Sequence, residues 1–484
     1  MAASFQTEAS LPDVVKLCTS RFADYCVIDI SNEGSERVIQ DPPTHPAPET
    51  DTSGMVASKW LRAQGYRSCI VLPLGGRGVA HGSFVVAAKA SKAFSAATER
   101  LATILSLQIA TAIDQAILFE RTQRVADRLQ RALLPEALPA IDGAALHGAY
   151  RPASDEAEVG GDWYDAFALG DGRIAFSLGD VAGHGLEAAT ITGEIRQGMR
   201  SVAVGDVRPS QVLEQINGAI NLRASIGMVT AVFGFYTPSS RLLEYAVAGH
   251  PAPIVAVGNG RAAFLPGGGI PLGVADSIGT PDWQLTLSPG SQVIFYTDGL
   301  TEYGRDILGG ERELLKAGVE MHRVAPANPA EYLLAEIFRN TPNRDDAATL
   351  VLTSDDGAVP QRLVYSATPV AAPLARAALE KVAIEVGVDE DRRFAFLLSV
   401  GEAIANAIEH GYRGENGAGP VIVNILRSAD ALDVEVEDHG RWRPFERRDE
   451  RGRGISLMHE LMDGVRISSS QNRTVVALTL KLAG

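Results

Sequence analysis

The spacing of apolar positions changes period many times along this chain, and each change marks a predicted element. Near the N-terminus "DVVKLCTSRF" keeps a helical spacing, "DYCVIDIS" and "SCIVLPL" are short β-rich runs, and "GVAHGSFVVAAK" reads as two strands around a glycine turn. The Pro-rich "QDPPTHPAPETDTSG" between them reads as a loop. A long helical period follows from about 98 to 134, closed by Pro135 and Pro139. In its second half Leu118, Val125, Leu129 and Ala132 keep a 3-4 spacing, with Thr122 at the remaining seam position. That suits either a short dimeric coiled coil or an amphipathic helix packed on its own domain.

From about 141 to 354 helical and strand periods mix. "RIAFSLG", "MVTAVFGFYT", "LLEYAVAG", "SQVIFYT" and "ATLVLT" read as strands, and about 186–203, 209–224 and 328–339 as helices. Another α/β unit starts near Gln361, with helices near 369–386 and 391–411 and strands "PVIVNILRS", "ALDVEVEDHG" and "TVVALTLKL". At roughly 100–200 residues per domain, 484 residues suggest about three domains.

Composition narrows the class. A net charge of -15 argues against general affinity for nucleic acid or anionic membrane, which bind basic faces. No stretch reads as approaching the roughly 20 apolar residues that span a bilayer, and "MAASFQTEAS" lacks the basic start and apolar core of a signal peptide. Three cysteines (Cys18, Cys26, Cys69) fit packing residues in a reducing cytoplasm better than a disulfide framework. Cytoplasmic location is the expectation.

Candidate chemistry gathers at strand ends. Asp180 follows "IAFSLG", Asp298 follows "VIFYT", Asp345 and Asp346 precede "ATLVLT", and Asp162 adjoins the short strand in "GGDWYDAF". A single Asp-Gly pair reads first as a turn. Several acids aimed from rigid strand ends also suit hard cations such as Mg²⁺ or Mn²⁺, with glycines letting a backbone carbonyl approach.

"VGGDWYD", "GDVAGHG", "AGHPAPIV", "TDGLTE" and "RDDAATL", in that order, resemble the SpoIIE/RsbU-type serine phosphatases of the metal-dependent PPM superfamily, over about 141–355. The resemblance implies a β-sandwich flanked by helices, with two metals at one edge. It implies Asp162 and Asp180 as shared metal ligands, with Asp180 bridging and Val181 offering its carbonyl. Asp298 completes the set with Asp345 or Asp346, a choice left open. The reaction implied is single-step attack of a metal-activated hydroxide on phosphoserine or phosphothreonine. His184 reads as a turn residue or a proton donor behind the metals. His250 reads as structural, and Asp165 and Asp171 as turn or surface residues.

Further on, "LLSVGEAIANAIEHG" puts Glu402, Asn406 and His410 on one helical face. "VEVEDHGRWRPF" ends a strand in Asp438-x-Gly440, and "RGRGISLM" and "RTVVAL" follow. The order resembles the histidine-kinase-like ATPase fold, and within it the anti-sigma-factor serine kinases, over about 361–484. The resemblance implies ATP with Mg²⁺: Asn406 on the cation, Glu402 as general base, Asp438 on the adenine amino group, and Thr474 supporting Asp438. Gly440 belongs to the same turn, and Gly452 and Gly454 let the lid and helix N-terminus near the phosphates. Trp442 stands where the family's second glycine is usual. Six arginines between Arg441 and Arg453 read as a solvated loop or as grips on phosphate or a partner. The helix at 121–134 has no histidine, so serine rather than histidine phosphorylation is implied.

Residues 1–120 resemble a GAF sensor domain through "CVIDIS", "SCIVLPLGGRGVAHGSFVVAAK" and the helix that follows. The expectation is therefore an α+β multidomain protein: a GAF-like sensor (1–120), a helical linker (121–140), a PPM phosphatase (141–355) and a GHKL-type α/β sandwich (361–484). The implied substrate is a STAS-type anti-sigma-factor antagonist acting in trans. A sigma factor is a further partner, and a homodimer through the 98–134 helix is an option on this reading. Two rival readings are a C-terminal module that binds without catalysis and a scaffold without turnover.

Overall fold

The structure, a computed structural model, describes residues 2–32, 35–41, 61–76, 79–89, 94–153, 160–222, 227–257, 260–303, 306–339, 343, 345–412, 419–428, 430–440, 453–470 and 472–482. The chain divides into two compact units that part between Ala126 and Asp127.

The first unit is built on an antiparallel sheet in the order β2-β1-β4-β3. Its strands are β1 (Tyr25–Asn32), β2 (Ser35–Asp41), β3 (Ser68–Gly76) and β4 (Val79–Ala88). Helix α1 (Ala2–Arg21) and the start of α2 (Ala96–Leu133) pack on one face. Leu11, Val15 and Cys18 of α1 meet Ile28, Phe84 and Val86 of the sheet and Ile109 and Ile113 of α2. The opposite face buries Tyr25, Val27, Val85 and Tyr66. Cys18 and Cys26 are buried, as packing residues should be.

Two expectations are corrected here. "GVAHGSFVVAAK" is one strand, not a hairpin, because Gly82 lies mid-strand at φ +144, where a Cβ would come within 1.8 Å of the Asp29 carbonyl oxygen. The glycine serves close strand approach, not a turn. The second concerns length: Ala96–Leu118 of α2 is 23 residues and is long and apolar enough, by length and composition, to cross a membrane. Ala102, Ile109, Ala110 and Ile113 on this helix are buried in the first unit's core, while Leu101, Ile104, Leu107 and Leu118 are exposed. On the proposed seam Leu118 and Thr122 are exposed, and the side chains of Val125, Leu129 and Ala132 lie outside the described residues.

In the second unit a five-stranded antiparallel sheet runs β11-β10-β13-β14-β5. Its strands are β5 (Ala144–Arg151), β10 (Ile254–Val257), β11 (Arg261–Phe264), β13 (Gln292–Tyr296) and β14 (Ala347–Ser354). Facing it are β6 (Trp163–Ala168), β7 (Ile174–Val181), β8 (Val229–Thr237), β9 (Leu242–Ala248) and β12 (Trp283–Thr286). Phe176, Leu178, Val232 and Tyr245 from one sheet meet Val255, Phe295 and Leu350 from the other. Phe176 and Phe295 stack across the gap with ring centroids 4.6 Å apart. Side chains buried to this degree contribute about 1.5–3 kcal/mol each.

Helices α3 (Leu186–Val202) and α4 (Pro209–Asn221) cover the outer face of one sheet through Ile191, Ile195, Met199, Val212 and Ile216. After the one-turn α5 (Gly299–Glu302), helices α6 (Ile307–Val324) and α7 (Pro329–Ile337) cover the other through Leu314, Met321 and Leu333. With helices outside both sheets, β7 and β13 are buried on both faces along almost their whole length. Helix α6 was not expected from the sequence.

The C-terminal part adds β15 (Arg362–Ser366), β16 (Pro420–Arg427), β17 (Ala431–Asp438), β18 (Gly464–Ser470) and β19 (Arg473–Lys481). Helices α8 (Ala371–Glu385), α9 (Glu390–Asn406) and α10 (Arg453–Leu461) accompany them, and a π-helical turn, Ala407–Gly411, extends α9. Strand β17 alternates half-buried and buried residues, as a sheet with one face on helices requires. This part is not separate. Strand β15 pairs with β12, so one ten-stranded antiparallel sheet runs β18-β19-β17-β16-β15-β12-β9-β8-β7-β6. Leu285 lies opposite Tyr365 at the join. There the Gln284 N–H donates to Ser366 Oγ (2.8 Å) and the Val364 N–H to Thr286 Oγ1 (2.8 Å). A single hydrophobic core continues from Phe176 and Leu285 through Leu363 and Tyr365 to Leu379 and Val436.

Candidate functional site

The acids expected at strand ends gather at one edge of the sandwich. Asp180 is the next-to-last residue of β7, opposite Thr230 on β8. Asp162 precedes β6, Asp298 follows β13, and Asp345 and Asp346 precede β14. Asp162 is buried, and its Oδ2 accepts a hydrogen bond from Thr297 Oγ1 (2.7 Å). Thr297 is itself fixed to Ala348: its N–H donates to the Ala348 carbonyl (3.0 Å), and its Oγ1 accepts from the Ala348 N–H (2.8 Å). The strands carrying Asp162, Asp298 and the Asp345–Asp346 pair are thereby locked together.

Electrostatics show how the acids act on one another. Burial, then the Asp180 charge, pushes the Asp162 carboxyl well above the usual carboxylate range. Burial, then Asp298 and Asp345, raises Asp180 to about 7, against a hydrogen bond with Asp162 that lowers it. Burial and Asp345 raise Asp298. Like charges brought together out of water disfavour one another's ionisation, and a cation between them reverses that. Among the described residues no three His, Cys, Asp or Glu side chains already close around a cation position. The acids ring the edge and repel across it.

The backbone offers a further oxygen. A Cβ on Gly161 would fall 2.1 Å from the Val181 carbonyl oxygen and 2.7 Å from Asp180 Oδ1, so only glycine leaves this carbonyl open. Gly161 is itself held by Thr192 of α3, whose Oγ1 donates to its carbonyl (3.0 Å). The donor set of carboxylates plus one carbonyl suits a hard divalent cation.

The two adjacent acids differ. Asp345 is exposed and bears on Asp180 and Asp298. Asp346 turns inward: its Oδ1 accepts from the Ala153 N–H (2.9 Å), and its Oδ2 fills the space a Cβ on Gly160 would need. Beside it the buried Tyr150 hydroxyl has its pKa raised, by burial first and then by Asp346.

Asp171 is exposed in a turn and accepts from the Arg173 N–H (3.0 Å). Asp165, expected at a turn or surface, is fully buried. It takes two bonds from Arg200 (2.6 Å each), and Arg196 lies 3.6 Å away, an ion pair that ties α3 to β6. His184 is exposed between Gly183 (φ +107) and Gly185 (φ +89), in a turn that needs both glycines. His250 is buried.

At the other end of the long sheet a second group forms. Glu402 and Asn406 lie on α9, and Gly454 at the start of α10 faces them: a Cβ there would sit 2.7 Å from Glu402 Oε2 and 3.9 Å from Asn406 Nδ2. The α-helical ladder gives way to π-helical bonding directly after Asn406, a break frequent at functional sites. Asp438 ends β17, buried, with Oδ1 accepting from the Gly440 N–H (3.0 Å). Burial raises its pKa to about 6, opposed by that N–H. Thr474 lies opposite Asp438 in the β17–β19 register, and its buried Oγ1 has no hydrogen-bond partner among the described residues. An orphaned hydroxyl beside a buried carboxyl marks a place where polar ligand atoms fit. Gly440 passes so close to Gly411 that a Cβ would meet its carbonyl oxygen at 1.8 Å. Gly452, Trp442 and the arginines before Arg453 lie outside the described residues.

Sequence reasoning missed Thr297, Thr192 and Tyr150. Thr297 had a signal, standing directly before Asp298 at a strand end. The others act from neighbouring elements and carried none.

Three stretches of the chain match known domain families. Residues 6–113 match the GAF domain, 170–355 match Stage II sporulation protein E (SpoIIE), and 365–480 match the histidine kinase-like ATPase domain. In N-to-C order the chain thus carries a GAF domain, a SpoIIE-type domain of the PPM superfamily and a histidine kinase-like ATPase domain. It is similar to the phosphoserine phosphatase RsbU of Bacillus subtilis, 25% identical over 205 residues, covering 42% of this chain and 60% of that one. It is similar to the serine-protein kinase RsbW of Bacillus velezensis, 32% identical over 127 residues, covering 23% of this chain and 78% of that one. Among solved structures it is similar to the RsbU and RsbW domains of Rv1364c from Mycobacterium tuberculosis, with 27% identity and a TM-score of 0.41. That match covers 71% of this chain and 94% of that one. The chain spans less than two thirds of its phosphatase relatives, 60% of RsbU and 46% of RsbP of Bacillus subtilis.

Proposed function

We propose that this chain is a cytoplasmic, metal-dependent phosphoserine/phosphothreonine protein phosphatase with a C-terminal ATP-binding module of opposing, serine-kinase activity. The observation that carries this reading is the crowding of Asp162, Asp180 and Asp298 at one sheet edge, each with its ionisation disfavoured by burial and by its neighbours. Asp162, Asp180, Asp298 and Asp345 are the side-chain ligands of two divalent cations, Mn²⁺ or Mg²⁺, with the Val181 carbonyl as backbone ligand. Asp346 is the inward clamp that seats the Ala153 segment. Bound there, divalent cations neutralise the acids, lower the pKa of water and polarise a phosphoryl oxygen. Thr297 keeps Asp162 turned toward the edge, and Gly161 keeps the Val181 carbonyl open.

In the C-terminal module Glu402 accepts the proton of a substrate serine hydroxyl, and Asn406 turns its amide oxygen to Mg²⁺. Asp438 accepts from the adenine amino group with Thr474 beside it, and Gly440, Gly452 and Gly454 let the backbone near the nucleotide. The substrate of both activities is a phosphorylatable anti-sigma-factor antagonist of the STAS type, and a sigma factor is a second partner. The similarity of two parts of one chain to a phosphoserine phosphatase and to a serine-protein kinase supports this pairing. Helix α2 offers a route to a homodimer.

Phosphate release from a phosphoserine STAS protein, followed with and without Mn²⁺, tests the phosphatase. Release should require Mn²⁺ and vanish in Asp180→Asn. Release that is unaffected by this substitution would remove the metal assignment.

A further inference from the structure

His250 is buried and has no part in the chemistry described so far, yet its two ring nitrogens reach both sheets of the sandwich. Nδ1 lies 2.9 Å from Thr230 Oγ1 on β8, and Nε2 lies 3.0 Å from the Tyr296 carbonyl oxygen at the end of β13. Thr230 stands directly across from Asp180 in the β7–β8 register. Tyr296 stands two residues before Asp298. We propose that His250 is a positioning residue that fixes the distance between the Asp180 and Asp298 ends of the two sheets. It rests on the reading that these acids hold divalent cations.

The local backbone explains why a side chain is needed here. Strand β10 pairs with β13 from Ala256–Gln292 to Ile254–Ile294 and then stops. Tyr296 lies two residues beyond the last β10–β13 pair, outside that ladder, and its carbonyl meets the His250 ring instead. A carbonyl only accepts, so Nε2 carries the proton, and Nδ1 accepts from the Thr230 hydroxyl. Burial lowers the ring's pKa to about 3, so this neutral tautomer persists through the neutral range. An imidazole suits such a bridge, since one rigid plane carries a donor on one side and an acceptor on the other. A core histidine that only filled space would not need both partners to lie next to acids.

The test uses the full chain and Mn²⁺ alone as probe. In His250→Asn the shorter amide can reach Thr230 but not the Tyr296 carbonyl. Its Mn²⁺ dissociation constant, and the Mn²⁺ needed for half-maximal phosphate release, should rise about 10–100-fold. The maximal rate should recover at saturating Mn²⁺, and ATP binding by the C-terminal module should stay unchanged. His250→Gln, which can reach the Tyr296 carbonyl, should recover part of the Mn²⁺ affinity. Thr230→Val removes only the hydroxyl, serves if His250 variants fold poorly, and should shift the Mn²⁺ requirement in the same direction. Wild-type Mn²⁺ affinity in all three would overturn the proposal. So would parallel loss of Mn²⁺ and ATP binding, which marks a general folding role. A wild-type protein that binds no Mn²⁺ overturns the underlying cation reading itself, a separate and recognisable failure.

Discussion

The two candidate sites of the second unit reach selectivity by opposite means. At the acidic edge, burial and then neighbouring carboxylates raise the pKa of Asp162, Asp180 and Asp298, so the site is defined by charge brought together out of water. At the C-terminal site a buried acid, Asp438, stands beside Thr474, whose hydroxyl has no hydrogen-bond partner among the described residues, so the site is defined by shape and hydrogen bonds. A charge-defined site answers to ions and pH. A hydrogen-bond-defined site answers to the fit of one ligand. Both depend on a glycine that admits a carbonyl at close range, Gly161 against Val181 and Gly440 against Gly411.

The largest expected effect separates the sites through those glycines. Gly161→Ala should cut Mn²⁺-dependent phosphate release by more than about 100-fold, beyond the usual cost of a supporting residue, and leave ATP binding intact. Gly440→Ala should do the reverse, abolishing ATP binding measured by calorimetry while phosphatase activity persists. Loss of both functions in either variant would break the comparison.

Next comes the adjacent acid pair. Asp345→Asn should weaken Mn²⁺ binding with little change in melting temperature. Asp346→Asn should lower the melting temperature, because the Ala153 N–H then loses a charged acceptor, typically worth about 1.5–3 kcal/mol. Exchanged phenotypes would reassign the metal ligand.

The sites should also part with pH. Asp180 has its pKa raised to about 7 in the folded protein, so protons compete with cations below that value. Apparent Mn²⁺ affinity should fall as pH drops through about 7, by up to about tenfold per unit for each proton displaced. The sign for stability is opposite. A carboxyl raised above its unfolded value adds stability at low pH that is lost as pH rises, so cation-free protein should melt at lower temperature near pH 7 than near pH 5. ATP affinity should hold until pH approaches about 6, where Asp438 takes up a proton and no longer accepts from adenine.

The smallest effect is Thr474→Val. Removing a buried hydroxyl that has no partner among the described residues should leave the melting temperature level or higher. ATP should bind about tenfold more weakly, the scale of one neutral hydrogen bond.

The acids were legible because each stands at the end of an apolar run, where a β period gives way to glycine-rich loop. Asp165 was misread for the same reason: a carboxylate near "GGDWYD" looks like loop chemistry until Arg196 and Arg200, one helical turn apart on α3, are seen to face it. Helix α6 was missed because "ILGGERELLKAGVEMHRV" carries two glycines in its first turn and only its later turns keep a helical period. The join of the C-terminal part to the sandwich could not be read at all. Strands β12 and β15 are four and five residues long, nearly 80 positions apart, and pairing across that distance leaves no local pattern.

That join bears on how the chain can be dissected. Cut between 356 and 361, the N-terminal piece would bare Trp283–Thr286 and the C-terminal piece Arg362–Ser366 as open strand edges. An unpaired edge is a template for aggregation, which sheets avoid by covering it. Here each half covers the other. The join between the sandwich and the C-terminal part therefore protects both from exposing an edge, and losing one would leave its neighbour looking for another strand.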